Sequence, residues 1–409
     1  MIPANASLII VSRHREAALM RALAGVAQMD HPAFEVIVVA DPQAAQAVRD
    51  SGIAVKLAEY DKPNISTARN IGLRLAAAPV VAFLDDDSVP EPTWLSRLCA
   101  PFSNPKVNAA GGFVLGRSGL QWQWRAAWIT GDGFDEPFDA PPETSLHPGT
   151  PTRAIKTQGT NCAFRLAPLL AIGGFDPVYS FYLDEADVNL RLAALGGLTA
   201  VVPGAVVHHG FAASARRRAD RIPTDLTQIG HSLALFIARH GQSADALGRH
   251  ITEQRARLLR HMISGGLEPR DVRRLMRTVH DGIHDANALR HRLAPEPITA
   301  TPTAFSPLPG TGPRKGRLVF GNLWNRAKLK AAAQDAVARG EIATLVLLAP
   351  GLRPHRHRFN PGGWWEQSGG RFGRSFRDGP RFVWKSAATR RAKESARWSQ
   401  FRPISDESL

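Results

Sequence analysis

The first hundred residues alternate between short apolar runs and longer segments in which apolar residues recur at helical spacing. The runs at 7–12, 34–40 and 80–84 are rich in Ile and Val, which is typical of strands buried on both faces of a parallel sheet. The segments 16–28 and 66–78 repeat apolar positions every three to four residues, as amphipathic helices do. Further predicted elements are a strand at 53–59, a helix at 92–102, a helix at 181–195 and a strand at 199–207. This order of β-α-β units predicts an α/β fold with a mainly parallel central sheet.

The rest of the chain changes character three times. An Arg-rich part with helical periodicity is followed by a stretch rich in Pro, Thr and Gly, and then by a strand–helix–strand pattern. The last part, 351–409, has weak periodicity, so we expect it to be irregular or ordered only against another surface. The predicted divisions are an α/β domain at 1–215, a helical extension at 216–293, a linker at 294–316 and a basic C-terminal region of unknown role at 317–409.

Composition narrows the class of protein. The chain has 409 residues and a formal net charge of +15, which suits anionic partners such as phosphorylated molecules, nucleic acid or a membrane surface. Its two cysteines, Cys99 and Cys162, form no pattern typical of a disulfide framework or a zinc site. We find neither a leader pattern nor an apolar run of the ~20 residues that span a bilayer. The sequence therefore predicts a cytoplasmic protein and leaves open peripheral contact at the inner face of the membrane.

Three consecutive aspartates, Asp85, Asp86 and Asp87, directly follow the predicted strand at 80–84. Ligands of open parallel sheets bind beyond the carboxyl ends of the strands, so these carboxylates are expected at a binding edge. Adjacent like charges repel each other, and a divalent cation with a bound diphosphate would screen that repulsion. The structural alternative is an Asx-type turn or a helix N-cap before Pro92.

A second acidic cluster, formed by Asp184, Glu185 and Asp187, lies near the start of the helix predicted at 181–195. The helix dipole favours carboxylates at this place, and that alone is one explanation for them. The other explanation is catalytic, because a carboxylate can act as the general base that removes a proton from an acceptor hydroxyl.

Five segments resemble, in the same order, the motifs of family 2 glycosyltransferases of the GT-A type. They are VSRHRE at 11–16, STARNIGLRLAAA at 66–78, FLDDDSVPEPTWL at 83–95, GTNCAFR with IGGFD at 159–165 and 172–176, and YLDEADVNLRLAALGG at 182–197 with its sequel VVPGAVVHHGF at 201–211. The resemblance covers about half of the chain, and the ordered set is far more specific than any single motif. It implies a GT-A fold, a Rossmann-like α/β domain with a mainly parallel sheet.

The resemblance also implies roles for the matching residues. The nucleotide would be held by Ser12, Asp41, Arg69, Asp85 and Asp86, with Asp41 accepting a hydrogen bond from the base. A divalent cation, Mg²⁺ or Mn²⁺, would be bound by Asp87 and His209. The sugar and acceptor side would be shaped by Gly159, Asn161 and Asp187, although a structural bond from Asp187 to Arg191 or to backbone is the favoured alternative.

The base position departs from the usual family pattern. The commoner order is Glu-Asp, whereas this chain has Asp184-Glu185. Either carboxylate is able to serve as the catalytic base, and Glu185 is the first choice. His208 and His209 both end a predicted strand, and the resemblance favours His209 as the one near the diphosphate.

The resemblance implies transfer of a sugar from a UDP- or dTDP-sugar donor to a glycan or lipid-linked acceptor, with inversion, in surface polysaccharide or glycoconjugate assembly. An inactive nucleotide-sugar-binding relative and a nucleotidyltransferase are alternatives with the same motifs. A nucleic-acid-binding protein is an alternative of another class, based on the Arg, Gly and Trp content of 317–409, although no RNA-binding motif is present. The tryptophans at 122, 124 and 128 either pack in the core or stack on a sugar.

Overall fold

The computed structural model describes residues 4–210, 216–218, 220–289, 294–300, 303–376 and 379–405. The strands are β1 (Ala6–Ser12), β2 (Phe34–Ala40), β3 (Lys56–Glu59), β4 (Val80–Asp85), β5 (Ser88–Pro90), β6 (Val107–Leu115), β7 (Trp122–Trp124), β8 (Ala127–Thr130), β9 (Asp135–Pro137), β10 (Ser145–Pro148), β11 (Arg153–Ile155), β12 (Cys162–Arg165), β13 (Leu198–His209), β14 (Gly316–Asn322), β15 (Ile342–Ala349), β16 (Arg356–Phe359) and β17 (Trp365–Gly370). The α-helices are α1 (Glu16–Val26), α2 (Pro42–Asp50), α3 (Ile65–Leu75), α4 (Trp94–Cys99), α5 (Leu166–Ala171), α6 (Asp184–Ala194), α7 (Thr227–His240), α8 (Ala246–Ile263), α9 (Pro269–Ala286), α10 (Arg326–Ala338) and α11 (Ala387–Trp398).

The central sheet has the strand order β10-β13-β6-β12-β4-β1-β2-β3, with β5 beside β13 and β7 beside β6. Strands β1 to β4 are mutually parallel, and β6 is parallel to β13. Strand β12 runs antiparallel between β4 and β6. The predicted α/β fold with a mainly parallel sheet is therefore confirmed.

Helices cover both faces of this sheet, which is why its central strands are apolar at most positions; Ser7 and Glu35 are buried polar exceptions, and Ser7 Oγ donates to Glu35 Oε1 at 2.6 Å. Leu8 and Ile10 of β1 point into a core shared with α1, α2 and α4. Ile9, between them, points into the opposite core, which includes residues of α3, α5 and α6. Successive side chains of a strand alternate between faces, so a strand covered on both sides needs apolar residues throughout.

Two local predictions differ from the structure. The helix predicted at 66–78 ends at Leu75, because Ala76 already has extended backbone. Helix α2 was not predicted, and its start depends on Asp41, whose carboxylate accepts hydrogen bonds from the backbone N–H groups of Gln43 and Ala44. This helix has only nine residues, of which Ala44, Ala45 and Val48 are buried, so it offers few apolar positions to a pattern search.

The predicted helical extension is present as α7, α8 and α9, and residues of α7 share a core with α6. The Pro-rich segment then runs back along the α/β domain, where the Ile298 N–H donates to Leu170 O at 2.9 Å and the Leu308 N–H donates to Phe34 O at 2.8 Å. No helix among the described residues has the length and apolar character needed to cross a membrane.

The C-terminal region is more regular than its composition indicated. Strands β14, β15, β17 and β16 form a second sheet in that order, with α10 and α11 beside it. This sheet packs on the α/β domain through a core in which Val89 meets Ile342, Phe359 and Trp365. The surface that orders residues after 351 is thus within the same chain.

Candidate functional site

The carboxyl ends of β1, β4 and β13 lie at one edge of the central sheet. Because β12 is antiparallel to β4, its beginning lies at the same edge. This topology brings together residues that are far apart in the sequence, from Ser12 to His209. The edge is the place where open α/β sheets bind ligands.

The three aspartates at the end of β4 have three different environments. Asp86 is buried, accepts a hydrogen bond from Ser12 Oγ at 2.8 Å and pairs with Arg15 at 3.1 Å. Asp87 is also buried, and its Oδ1 lies 3.0 Å from His209 Nε2. The Asp85 side chain is the most accessible of the three, with 35% of its surface exposed. The run is therefore a set of separate contacts and not a simple turn.

Asp85, Asp87 and His209 form a cluster suited to a metal ion. One ligand atom from each lies within 4.8 Å of the others. Two carboxylates and an imidazole are suitable ligands for a divalent cation such as Mn²⁺. Burial raises the pKa of Asp85 although Arg69 and His209 oppose it, and burial raises the pKa of Asp86 to about 6 although Arg15 opposes it. Both shifts come first from burial, with smaller contributions from the neighbouring aspartates, and a bound cation would favour the ionised carboxylates.

Arg69 links this cluster to the second acidic group. Its guanidinium binds Asp184, lies 3.1 Å from Glu185 Oε1 and lies 3.8 Å from Asp85 Oδ1. The side chain is 3% exposed and contacts the adjoining rings of Phe83 and Phe175, at 5.7 Å and 5.0 Å from their centroids. Arg69 is therefore rigidly held between the predicted cation site and the predicted base.

Asp184 and Glu185 form the first turn of α6, after two residues with left-handed backbone, Tyr182 at φ 75° and Leu183 at φ 65°. Such backbone is uncommon for residues with a side chain and is often retained where geometry matters for function. The two carboxylates differ in access, because the Glu185 side chain is 21% exposed and that of Asp184 is 4% exposed.

The electrostatics of this pair favour a charged Glu185. Burial, and then the charge of Glu185, raise the pKa of Asp184 well above its usual range. Burial also acts to raise the pKa of Glu185, but Arg69 and the hydrogen bond with Asp184 outweigh it, so the Glu185 pKa is lowered. The opposite directions of the two pKa shifts favour Glu185 as the ionised member of the pair, which is the form that is able to accept a proton.

Gly159 lies against the predicted base. A Cβ at this position would be 1.9 Å from Glu185 Oε1 and 2.1 Å from Arg69 Nη2, so only glycine fits without displacing them. Asn161 is two residues away but has a different environment: it accepts from Trp94 Nε1 at 2.7 Å and donates to Phe113 O and Ala205 O at 2.9 Å. Its amide is committed to the fold.

Asp41, another predicted site residue, has mainly structural contacts. Asp41 accepts backbone N–H bonds from Gln43, Ala44 and, at 2.7 Å, His14, so it shapes the loop after β1. Burial acts to raise the Asp41 pKa, but these bonds outweigh it and the pKa is lowered. Direct contact of Asp41 with a nucleobase stays a prediction.

Asp187 lies behind the site, in the core of the protein. It pairs with Arg191 at 2.6 Å, Arg239 at 2.9 Å and His240 at 2.9 Å. Burial acts to raise its pKa, but these cations outweigh it and hold the pKa well below the usual range. The contacts agree with the structural alternative for this residue and give no support to a substrate contact.

Arg15 and Gln123 belong to the site but were not among the predicted residues. Arg15 binds Asp86 and lies 3.8 Å from Asp87, and Gln123 Oε1 lies 3.0 Å from His209 Nδ1. The position of Arg15 just after the first strand is a signal that the sequence contains. Gln123 had no such signal, because it comes from the edge strand β7.

The two histidines at the end of β13 point in opposite directions. His209 faces Asp87, whereas His208 is buried and lies 2.7 Å from Glu91. The two-residue repeat of a strand requires this separation. The neighbouring tryptophans are half-buried, with Trp122 against Phe113 and Trp128 against Phe138.

Comparison with known proteins agrees with this arrangement. A family model described as "Glycosyltransferase like family 2" matches residues 3–221, which is more than half of the chain. The chain belongs to this glycosyltransferase family. The family-2 domain thus includes the whole cluster from Ser12 to His209.

Curated relatives of the family-2 domain are distant. The O-antigen biosynthesis protein RfbC of Myxococcus xanthus is 28% identical over 214 residues, which is 48% of this chain and 16% of that protein. The glucosyl-dolichyl phosphate glucuronosyltransferase of Haloferax volcanii is 29% identical over 120 residues, or 27% of this chain and 34% of that enzyme. The chain therefore spans only a minor part of the length of either relative.

Among solved structures, one similar chain is the mannosyltransferase PcManGT from Pyrobaculum calidifontis, described in complex with GDP-Man and Mn²⁺. It is 18% identical with a TM-score of 0.41, and the match covers 70% of this chain and 72% of that chain.

Proposed function

We propose that this chain is a metal-dependent glycosyltransferase that moves a sugar from a nucleotide-sugar to a hydroxyl group of an acceptor. The observation that carries the proposal is the continuity of the site: a three-ligand cluster of Asp85, Asp87 and His209 is joined through Arg69 to the partly exposed carboxylate of Glu185. Family membership supports the same reaction class.

The donor would bind along the edge formed by β1 and β4. Asp85, Asp87 and His209 would hold Mn²⁺ or Mg²⁺, and a bound cation would supply positive charge for the diphosphate as it leaves. Arg15 and Arg69 add fixed positive charge on either side of the aspartates. Ser12 and Asp86 fix the position of Arg15, which would face the phosphates.

Glu185 would act as the catalytic base. Its carboxylate accepts the proton of the acceptor hydroxyl while that oxygen forms a bond to the anomeric carbon of the donor sugar. The bond from the same carbon to the diphosphate oxygen breaks, and its electron pair leaves with the nucleoside diphosphate. Attack opposite to the leaving group inverts the anomeric configuration.

UDP- or dTDP-sugars are the proposed donors, and a glycan or lipid-linked saccharide is the proposed acceptor. Surface polysaccharide or glycoconjugate assembly is the proposed setting, supported by the name of the Myxococcus relative. Donor identity is tested first by thermal shift with a panel of UDP-, dTDP- and GDP-sugars, each with Mn²⁺ and with EDTA. A true donor raises the melting temperature, and the rise is larger with the metal.

The mechanism is tested by substituting Glu185→Gln and Asp184→Asn separately and measuring nucleoside diphosphate release with a panel of simple glycosides. Loss of a general base typically lowers the rate about 10²–10⁴-fold. We expect this loss in E185Q with the donor-induced thermal shift retained. Full turnover in E185Q would disprove the role of Glu185, and loss only in D184N would transfer the role to Asp184.

A further inference from the structure

The C-terminal region carries an exposed aromatic cluster far from the residues of the family-2 site in sequence. Phe372, Phe382 and Trp384 contact each other, with ring centroids 4.9 Å apart for Phe372 and Trp384 and 5.8 Å apart for Phe382 and Trp384. Trp384 is 78% exposed and Phe382 is 49% exposed. We call these three residues the aromatic tip.

Backbone contacts fix the aromatic tip on the second sheet. The Val383 N–H donates to Phe372 O at 3.0 Å, and Gly373 pairs with Phe382 as an antiparallel bridge. The Arg371 N–H donates to Ala349 O, at the end of β15, at 2.8 Å. The rings are therefore presented by a defined backbone, and their exposure is a feature of the fold.

Two arginines adjoin the aromatic tip. Arg371 lies over the Phe372 ring at 5.3 Å and its Nε donates to Lys385 O at 3.2 Å. Arg381 is exposed and adjoins Phe382. Between Gln367 and Lys393 the sequence has eight Arg or Lys residues and one Asp, so the charge of this stretch is strongly positive.

We propose that the aromatic tip docks on the surface of an anionic lipid bilayer. Trp and Phe rings are favoured at the boundary between headgroups and acyl chains, and nearby Arg and Lys side chains are attracted to anionic headgroups. Exposed aromatic rings with adjoining arginines have the chemistry of such a surface. Because the proposal concerns binding without any donor, it stands apart from the proposed sugar transfer.

The arrangement of the rings favours a bilayer over single-stranded nucleic acid. Nucleic-acid surfaces use separate aromatic faces along a cationic groove, so that successive bases can stack on them. Here the planes of Phe372 and Trp384 are 8° apart and the rings stack on each other. The result is one compact apolar projection, which matches insertion at an interface.

The test is cosedimentation of the full chain with vesicles of phosphatidylcholine alone or of an equal mixture with phosphatidylglycerol. We expect partitioning to the mixed vesicles only, with release by added salt. The double variant Phe382→Ser/Trp384→Ser should lower partitioning at least about tenfold through lost apolar burial. Arg381→Gln/Lys385→Gln should lower it about 25-fold, roughly fivefold for each charge.

Trp324→Ser is the matched control, because Trp324 is 82% exposed in the same C-terminal region and has no part in the aromatic tip. Its partitioning should equal that of the unmodified chain, and thermal melting should confirm that every variant is folded. Equal binding to both vesicle types, or an equal loss in the control, overturns the proposal. Single-stranded RNA binding that depends on Trp384, without vesicle binding, would assign the surface to nucleic acid instead.

Discussion

The substitution Gly159→Ala tests whether Glu185 acts from the position that the structure gives it. The added Cβ would lie 1.9 Å from Glu185 Oε1 and 2.1 Å from Arg69 Nη2. Ordinary contact begins at 3.4 Å, so the carboxylate must retreat by about 1.5 Å. Gly159 itself takes no part in the chemistry, which makes the substitution a test of geometry alone.

The expected effect follows from which neighbour is able to move. Both neighbours must retreat, Glu185 Oε1 by about 1.5 Å and Arg69 Nη2 by about 1.3 Å, and Glu185 is the freer of the two because its end is partly exposed whereas Arg69 is held by Asp184. Misplacing a reacting group by 1 Å can reduce the rate about 10²-fold. We therefore expect kcat to fall about a hundredfold, which corresponds to about 2.7 kcal/mol of barrier. Overpacking should lower the free energy of unfolding by only about 1–3 kcal/mol.

The assay is steady-state release of nucleoside diphosphate, with kcat and the donor KM measured separately, and the stability is measured by urea unfolding. The matched control is Gly248→Ala, since a Cβ there meets nothing within 4 Å and alanine suits its helix α8. A Gly159→Ala enzyme with unchanged kcat would refute the assignment of Glu185 as a base acting from this position. A loss confined to KM would instead place Gly159 in donor binding.

Three further predictions concern buried ionisable side chains. Arg402→Met removes one partner of Glu91, which is fully buried and lies 2.9 Å from Arg402. Urea unfolding should show that the free energy of unfolding falls by about 3–5 kcal/mol. The same substitution should cost less in a Glu91→Gln background, and an equal cost there would contradict the pairing. Asp187→Asn weakens the ion pairs with Arg191 and Arg239, so the free energy of unfolding should fall by a similar amount while kcat at low temperature stays unchanged. A loss of kcat without a loss of stability would support the predicted substrate role of Asp187. The pKa of His355 is lowered from 6.5 to about 4, first by burial and then by the charge of Arg390. The folded protein therefore binds fewer protons than the unfolded chain in this range, and the free energy of unfolding falls as the pH falls below 6.5. Between pH 7 and pH 5 this amounts to about 2 kcal/mol, and urea unfolding of His355→Gln should show that much less pH dependence.

The central fold could be predicted from the sequence because its strands are covered by helices on both faces. Burial on two sides leaves a continuous apolar run such as 36–40, and the helices between these runs keep the complementary spacing. The location of the candidate site could be predicted for a related reason: residues at the carboxyl ends of parallel strands meet at one edge of the sheet. This rule alone places Ser12 near Asp86, and the structure has them in contact.

The predictions were weaker where a polar residue serves the fold. Asn161, Asp41 and Asp187 carry the residue types of a binding site, but each is held by several protein hydrogen bonds or ion pairs. A sequence motif does not separate a residue that touches a ligand from one that supports such a residue. Only the partner atoms do so, and these come from distant parts of the chain.

The C-terminal region was the least predictable part, because its interior contains charge. Arg390, Glu394 and Arg402 are fully buried, and Arg402 lies 4.1 Å from the ring centroid of Trp365 and 4.7 Å from that of Trp398. Arginine stacked on aromatic rings gives no hydrophobic periodicity, so a pattern search interprets such a segment as irregular. Its order depends on the α/β domain, which supplies the partner carboxylate Glu91.

Strand β13 connects the basic C-terminal region with the candidate site. His209 faces Asp87 in the candidate cation site, and the preceding residue, His208, faces Glu91 on the other side of the same strand. Glu91 in turn pairs with Arg402 at 2.9 Å, and β5, which joins the aspartates to Glu91, is hydrogen-bonded to β13. The C-terminal region therefore contacts β13, which carries His209, and the residue that follows β5, the strand directly after Asp87. A change in its packing has a direct route to Asp87 and His209 and reaches Glu185 only through Asp85 and Arg69.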